Sequence, residues 1–317
     1  MRRLARPLLL LLPLVLALSG DARHRAPTAG TAADGVGLPS RSSDRGADAA
    51  LERSLLERFA PVILLAPGER ALPANVDWYL ARARLDPDPR PGLCVTQASL
   101  LGDLGALLGG TSRRAARLRP DAGARAGSGD PRDWVAYGRV QGARGGGLLV
   151  QYWFFYAYNE CHVLFDHDGD WEHVTVRLDD RLRPLGAWYA RHERSAPGRW
   201  FPWGELSREG DHPVVLSARG SHASYAKAAD ARFYDQVCPA SSLARAEAQG
   251  CRVWRTWSAA TGGIVATGSR DRPRTGAAFI AWPGLWGARG WFGLDSGGPP
   301  GPAHQGGWCA KAAAPCG

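Results

Sequence analysis

Lysine is nearly missing from this chain of 317 residues: only Lys227 and Lys311 stand against a large excess of arginine. Methionine occurs once, at the start. None of the six cysteines falls in a Cys-x-x-C pair, which argues against a thiolate zinc site of the finger or ribbon type. No Gly-x-Ser-x-Gly elbow occurs, so the hydrolase turn that presents a serine nucleophile is lacking. Basic stretches carry no interleaved aromatics at a spacing suited to bases, so nucleic acid is not an indicated partner. No internal repeat is visible, and beyond residue 20 no apolar run is long enough for a membrane span.

The start is different. "MRRLAR" is basic, "PLLLLLPLVLAL" is an apolar run of signal-peptide length, and Ala17-Leu18-Ser19 supplies small residues near a cleavage point. We read residues 1–20 as an export signal. Residues 21–49 are small, polar and broken by Gly and Pro, the composition of a disordered tether. Residues 50–317 remain as one domain, with 111–130 as an exposed insertion. The formal charge of +9 falls to +6 when Arg2, Arg3 and Arg6 leave with the signal. In an exported chain the six cysteines read as disulfides. Spacing favours Cys238 with Cys251 and Cys309 with Cys316, leaving Cys94 for Cys161.

"LERSLLERFAPVILL" predicts a short helix ending near Phe59, because Pro61 disfavours helix in the residue before it. The leucine spacing in 96–108 predicts a second helix. From about 133 onward, "WVAYGRV", "GLLVQYWFFYAY", "WEHVTVRL", "LGAWYARHE", "PVVLSAR" and "AAFIAW" are short β-branched and aromatic runs, mostly separated by turn residues. The expected fold is mainly β: a two-sheet antiparallel β-sandwich with a few peripheral helices and long loops. Of 13 tryptophans, Trp153, Trp171 and Trp188 lie within strands and read as core. Trp200 and Trp203 fall in a Pro/Gly-containing stretch, "GRWFPWGE", and read as an exposed aromatic loop for a ligand or bilayer.

The densest chemistry is "FDHDGDWEHVTVRL", 165–178. On an extended chain Asp168, Asp170 and Glu172 share one face, about 6.6 Å apart in succession. That face continues as Val174, Val176 and Leu178, so the carboxylates are expected where a buried strand face reaches the sandwich rim. Three like charges there call for a cation or an arginine. Counted from Asp166, an EF-hand would need Gly at Trp171 and Glu at Arg177, so it fails. His167 and His173 lie six apart on a strand, which disfavours zinc; oxygen-rich ligands suit calcium or magnesium. A polar turn with no ion is the plainer alternative. "SARGSHASY" sets Ser221 beside His222, but neighbours on a strand point to opposite faces, so this is no nucleophile–base pair. It reads instead as a second polar rim presenting His222 and Arg219, with Arg219 able to neutralise the aspartates.

"ERFAPVILLAPGERALPANVDWYL", "YWFFYAYNE", "DGDWEHVTVRL", "HPVVLSARGSHASY" and "GPPGPAHQGGW" together resemble the vacuolar protein sorting-associated protein 62 family, in order over most of 57–308. More distantly, the H-x-x-D-W-E pattern of His167, Asp170, Trp171 and Glu172 resembles the G-H-R-H-D-W-E heptapeptide of necrosis- and ethylene-inducing-like proteins. That resemblance implies a cytolysin-like β-sandwich in which a divalent cation supports binding to lipid sugar headgroups. It implies an upstream ligand near Asn159 or Glu160, while Asp168-Gly169 stands where that family has Arg-His. The resulting expectation is an exported recognition protein that binds a glycan or polar lipid headgroup, with peripheral membrane contact. Calcium or magnesium would be held by His167, Asp168, Asp170, Glu172 and Asn159, with Arg219, His222, Trp200 and Trp203 toward the ligand. The rival expectations are a metal-dependent hydrolase of phosphoesters or glycans, and a structural protein whose ion stiffens a turn.

Overall fold

The sequence LLVQYWFFYAYN, twelve residues without Gly or Pro, forms one long strand that is buried from Leu149 through Ala157. Unbroken burial means that both of its faces are covered, and this explains a continuous apolar run in place of alternation. A computed structural model of the protein describes residues 43–86, 96, 116–160, 166–191, 198–239, 242–287 and 297–309. In chain order the strands are β1 (Val62–Leu65), β2 (Ala83–Asp86), β3 (Arg117–Pro120), β4 (Ala136–Gly142), β5 (Leu148–Asn159) and β6 (His167–Leu178). They continue as β7 (Pro184–Tyr189), β8 (Arg199–Pro202), β9 (Arg208–Glu209), β10 (His212–Ser217) and β11 (Ser224–Tyr225). The last are β12 (Arg252–Arg255), β13 (Ile264–Ala266), β14 (Gly268–Ser269) and β15 (Arg272–Pro273). Helices α1 (Ser43–Arg58), α2 (Val76–Leu80) and α3 (Leu243–Ala248) are peripheral, and none among the described residues is long and apolar enough to cross a membrane.

The fold is mainly β, with two large sheets. One runs β13-β4-β5-β6-β7-β8; the other runs β11-β10-β1-β12, with β9 on β10. Most pairings are antiparallel, but β1 lies parallel to β10 and β13 parallel to β4. Strands distant in sequence, joined by no hairpin, are free to pair either way. Between the sheets, Tyr152, Phe154, Tyr156, Val174 and Val176 of the first meet Ile63, Leu65, Val215 and Trp254 of the second. The opposite face of β5 and β6 packs Trp153, Phe155 and Trp171 against Tyr79, Phe279, Trp282 and Trp286. A third core covers the outer face of the second sheet, where Val62, Leu64, Val214 and Leu216 meet α3 and the Cys238–Cys251 disulfide.

Several expectations change. α1 ends at Arg58 as expected, but it begins at Ser43, inside the stretch read as tether, where Ala47, Ala49 and Ala50 favour helix. Ala278–Ala281 of "AAFIAW" is a 3-10 turn, not a strand, and Phe279, Ile280 and Trp282 are all buried. The described part of 111–130 is exposed only in part: 121–123, 125 and 126 are open, but Ala116 and Leu118 are fully buried and Arg117 bridges to Leu285. Of the helix expected over 96–108 only Thr96 is described, and it is not helical; the rest, and the pairings expected of Cys94–Cys161 and Cys309–Cys316, lie outside the described residues and side chains. Cys238–Cys251 is formed.

Candidate functional site

Because β1 and β10 are parallel, the segments that follow them emerge at one end of the molecule. There they meet the end of β5 and the start of β6, which are antiparallel partners in register from Asn159–His167 inward. Glu69 follows β1; the loop 218–223 follows β10. The Glu69 carboxylate accepts from the backbone N–H groups of Arg70 (2.7 Å), Ala71 (2.8 Å) and Gly220 (2.7 Å). Gly220 has φ +76°, and a Cβ there would stand 2.4 Å from the Glu160 carbonyl oxygen, so the loop crosses β5 at its glycine. His222 follows in the left-handed region, φ +52°, and this turns its ring inward.

His222 is 1% exposed. Its Nδ1 donates to Asp170 at 2.8 Å and its Nε2 to the Ala71 carbonyl at 3.1 Å, with Glu69 at 3.7 Å as an ion pair. Both ring nitrogens face acceptors, so both carry protons and the ring is an imidazolium. Tyr156 stacks on it at 3.7 Å, with its hydroxyl 3.4 Å from Ser217 Oγ. Burial works against the charge, but the pull of Glu69 and the Asp170 hydrogen bond raise the His222 pKa to about 9. For Glu69 burial also opposes charge; His222 and the surrounding N–H groups outweigh it and lower the pKa to about 2. Burial, then Glu69, Asp170 and Glu172, keep the Tyr156 phenol protonated.

The neighbouring acids go elsewhere. Gly169, φ +69°, separates Asp168 from Asp170; a Cβ on it would lie 2.3 Å from the Trp286 carbonyl oxygen. Asp168 binds the Arg125 guanidinium at 2.8 Å, and Arg125 in turn lies over the Tyr158 ring at 4.7 Å. Tyr158 donates to Asp166 at 3.1 Å. His167 donates through Nδ1 to the Gly169 carbonyl and accepts at Nε2 from Asn159, both at 2.8 Å. Two side-chain oxygens at this end, Asn159 Oδ1 and Asp166 Oδ1, are buried without a donor.

The five side chains expected to hold one cation therefore divide. Asp170 answers an imidazolium, Asp168 a guanidinium, and His167 with Asn159 closes the turn. Glu172 is buried on the inner face near Tyr156. Among the described residues no three His, Cys, Asp or Glu side chains gather as a metal requires. As placed, these residues do not fit a single divalent ion: protein cations stand among the carboxylates instead. The guanidinium that reaches the aspartates belongs to Arg125, not to Arg219, which is exposed with its backbone N–H on the Gln236 carbonyl. His222 is sealed rather than presented, and Ser221 Oγ donates to Asp235, not to the imidazole. Trp200 and Trp203 are not on an exposed loop. Trp200 is a β8 residue paired with Trp188 and packed near Leu149, and Trp203 packs edge-on to Phe59 at 5.8 Å.

Sequence reasoning missed Glu69 and Arg125. Glu69 had a signal, since an acidic turn after a strand lies beside any loop that follows a parallel neighbour. Arg125, one arginine in an arginine-rich stretch, had none.

No family model and no curated protein matches the chain, so the vacuolar protein sorting-associated protein 62 resemblance finds no counterpart there. Solved structures do match, at low identity. NLPPya in complex with glucosamine is 16% identical, covering 72% of this chain and 78% of that one, with a TM-score of 0.36. Necrosis and Ethylene inducing Protein 2 from the causal agent of cocoa's Witches Broom disease is 14% identical over 78% and 84%, with a TM-score of 0.36. The non-toxic HaNLP3 protein is 16% identical over 58% and 72%, with a TM-score of 0.35. The chain is thus similar, distantly and in part of its path, to necrosis- and ethylene-inducing proteins, and no activity is carried over from them.

Proposed function

We propose that the protein acts by recognition, binding a hydroxyl-rich ligand, a glycan or the sugar of a polar lipid headgroup, at the rim where β5 ends and β6 begins. The observation that carries this reading is the pair of donorless acceptors, Asn159 Oδ1 and Asp166 Oδ1. Their desolvation is already spent in the fold, so a ligand that opens the cover over these buried oxygens and brings donors gains the full hydrogen bond. Arg125, half-exposed above Tyr158, adds an accessible donor and an aromatic face beside them. The apolar leader and the Cys238–Cys251 disulfide suit an extracytoplasmic setting. Hydrolysis is the weaker reading, because the Asp170–His222 pair, which otherwise looks like an acid–base dyad, has no free nitrogen and no access.

The test is glycan-array and sugar-headgroup liposome binding of the protein and an Asp166→Asn variant, each with and without chelator. We expect binding that falls at least about tenfold in the variant, the worth of one charged hydrogen bond. Binding by neither protein ends the proposal. Loss of wild-type binding in chelator would bring calcium or magnesium back. An Arg125→Ala variant should then bind that ion more tightly, since Asp168 is released.

A further inference from the structure

Phe233 is 99% exposed, the most solvent-open large apolar side chain among the described residues. An isolated exposed phenylalanine on a loose loop would mean little, but this one stands on a braced turn. Asp235 accepts from Ser221 Oγ at 2.8 Å and from the Tyr225 hydroxyl, and its backbone N–H reaches the Arg232 carbonyl at 2.9 Å. The Gln236 carbonyl accepts from Arg219 N at 2.7 Å, and Cys238 ties the far side of the turn to Cys251. Tyr234 lies edge-on to Phe233 at 5.0 Å, with the Arg232 guanidinium on its hydroxyl. The tip therefore holds two aromatic rings outward and loses little freedom when they are covered.

The charges around it are layered. Arg191 lies over the Tyr225 ring at 4.2 Å; Arg199 and Lys227 flank Phe201 at 5.0 and 5.5 Å. Burial lowers the Arg191 pKa; Tyr225 and Asp230 oppose this, Arg199 and Arg232 add to it, and the guanidinium packs inward with its Nη2 buried. The acids that answer them lie mostly beneath: Asp235 is buried, and Asp230, 17% exposed, holds Arg199 at 2.6 Å. Glu205, at 3.3 Å from Lys227, is the acid of this set that shares the surface. Around the turn the Phe233 ring and the Arg199 guanidinium are thus open to solvent, while Asp235 is buried and Asp230 nearly so.

We propose that the Phe233–Tyr234 turn, with its collar of Arg199 and Arg232, is an interfacial anchor for an anionic phospholipid surface. The rings enter the headgroup–acyl boundary while the guanidinium groups bind lipid phosphates, the combination by which peripheral proteins hold anionic bilayers. This inference stands apart from the rim reading: it needs no glycan, and Asp166 and Asn159 take no part in it.

The test is co-flotation of the full chain with vesicles of phosphatidylcholine alone or with about a third phosphatidylserine, run beside Phe233→Asp and an Arg199→Gln/Arg232→Gln double variant. The apolar run at 7–18 is common to all, so differences report the turn. We expect stronger binding to the anionic vesicles, above the background that the apolar run gives on neutral ones. It should fall at least about tenfold in Phe233→Asp, the factor that one phenylalanine's burial implies, and severalfold at half-molar salt, which screens the collar. The melting temperature of Phe233→Asp should match the parent, because the side chain touches little. Equal binding by parent and Phe233→Asp, equal binding to neutral and anionic vesicles, or no binding at all overturns the proposal. Concentration-dependent self-association lost in Phe233→Asp, without vesicle binding, would make the turn a contact between copies and overturn it equally. Rim-ligand binding that persists in Phe233→Asp keeps the two proposals separable.

Discussion

At the scale of single residues, His222 sets the chemistry of the rim. Its charge is the counterion of Asp170 and Glu69, so removing the ring leaves buried carboxylates uncompensated. His222→Ala should destabilise the protein by about 3–5 kcal/mol, as broken buried ion pairs do, in urea melts at neutral pH. The pH dependence follows from direction. His222 is raised from an ordinary 6.5 to about 9, so its contribution is complete below about pH 6.5 and is lost as pH rises through 9. Glu69 is lowered from 4.5 to about 2, so its share is present above about pH 4.5 and is lost as pH falls toward 2. Urea midpoints should therefore hold a plateau between these limits and drop on both sides, and the alkaline drop should vanish in His222→Ala. Arg125→Ala removes a half-exposed guanidinium but leaves the buried Asp168 carboxylate without it, and should cost about 1–3 kcal/mol.

At the scale of elements, the β5–β6 pair bears most on the site, and Gly169 is its constraint. Its positive φ and its closeness to the Trp286 carbonyl leave no room for a methyl group. Gly169→Ala should cost more than about 2 kcal/mol and shift the Asp168–Arg125 pair, which thermal melts and the solvent exposure of Arg125 would register. The strands themselves were legible in the sequence, because β5 and β6 carry long β-branched and aromatic runs and α1 stops where Pro61 requires. What the acidic cluster does was not legible. Period two put Asp168, Asp170 and Glu172 on one face, but the left-handed glycine between the first two lets Asp168 turn to Arg125. Periodicity also had no means to show that Trp200 pairs across a strand with Trp188, since the decisive contact comes from a different strand. "AAFIAW" misled for a related reason: burial selects the same residues in a core 3-10 turn as in a strand.

At the scale of the whole molecule, the disulfide and the order of strands decide how the domain holds together. Cys238–Cys251 closes a loop of sequence separation 13 that carries α3 and begins just after the Phe233 turn. A loop of that size is worth about 3 kcal/mol in the unfolded-chain account. Reductant, or a Cys238→Ala/Cys251→Ala pair, should lower the melting temperature by several degrees, and calorimetry with and without reductant would show it. The pairing of β1 has a different consequence. Its two neighbours in the sheet, β10 and β12, arrive about 150 and 190 residues after it, so an emerging chain offers β1 no place to dock until most of the domain exists. Glu69 and His222 come together only when that slot closes. A polypeptide threaded through a translocation pore amino end first would thus carry its charged rim apart, in two incomplete halves, until nearly all of it had reached the far side.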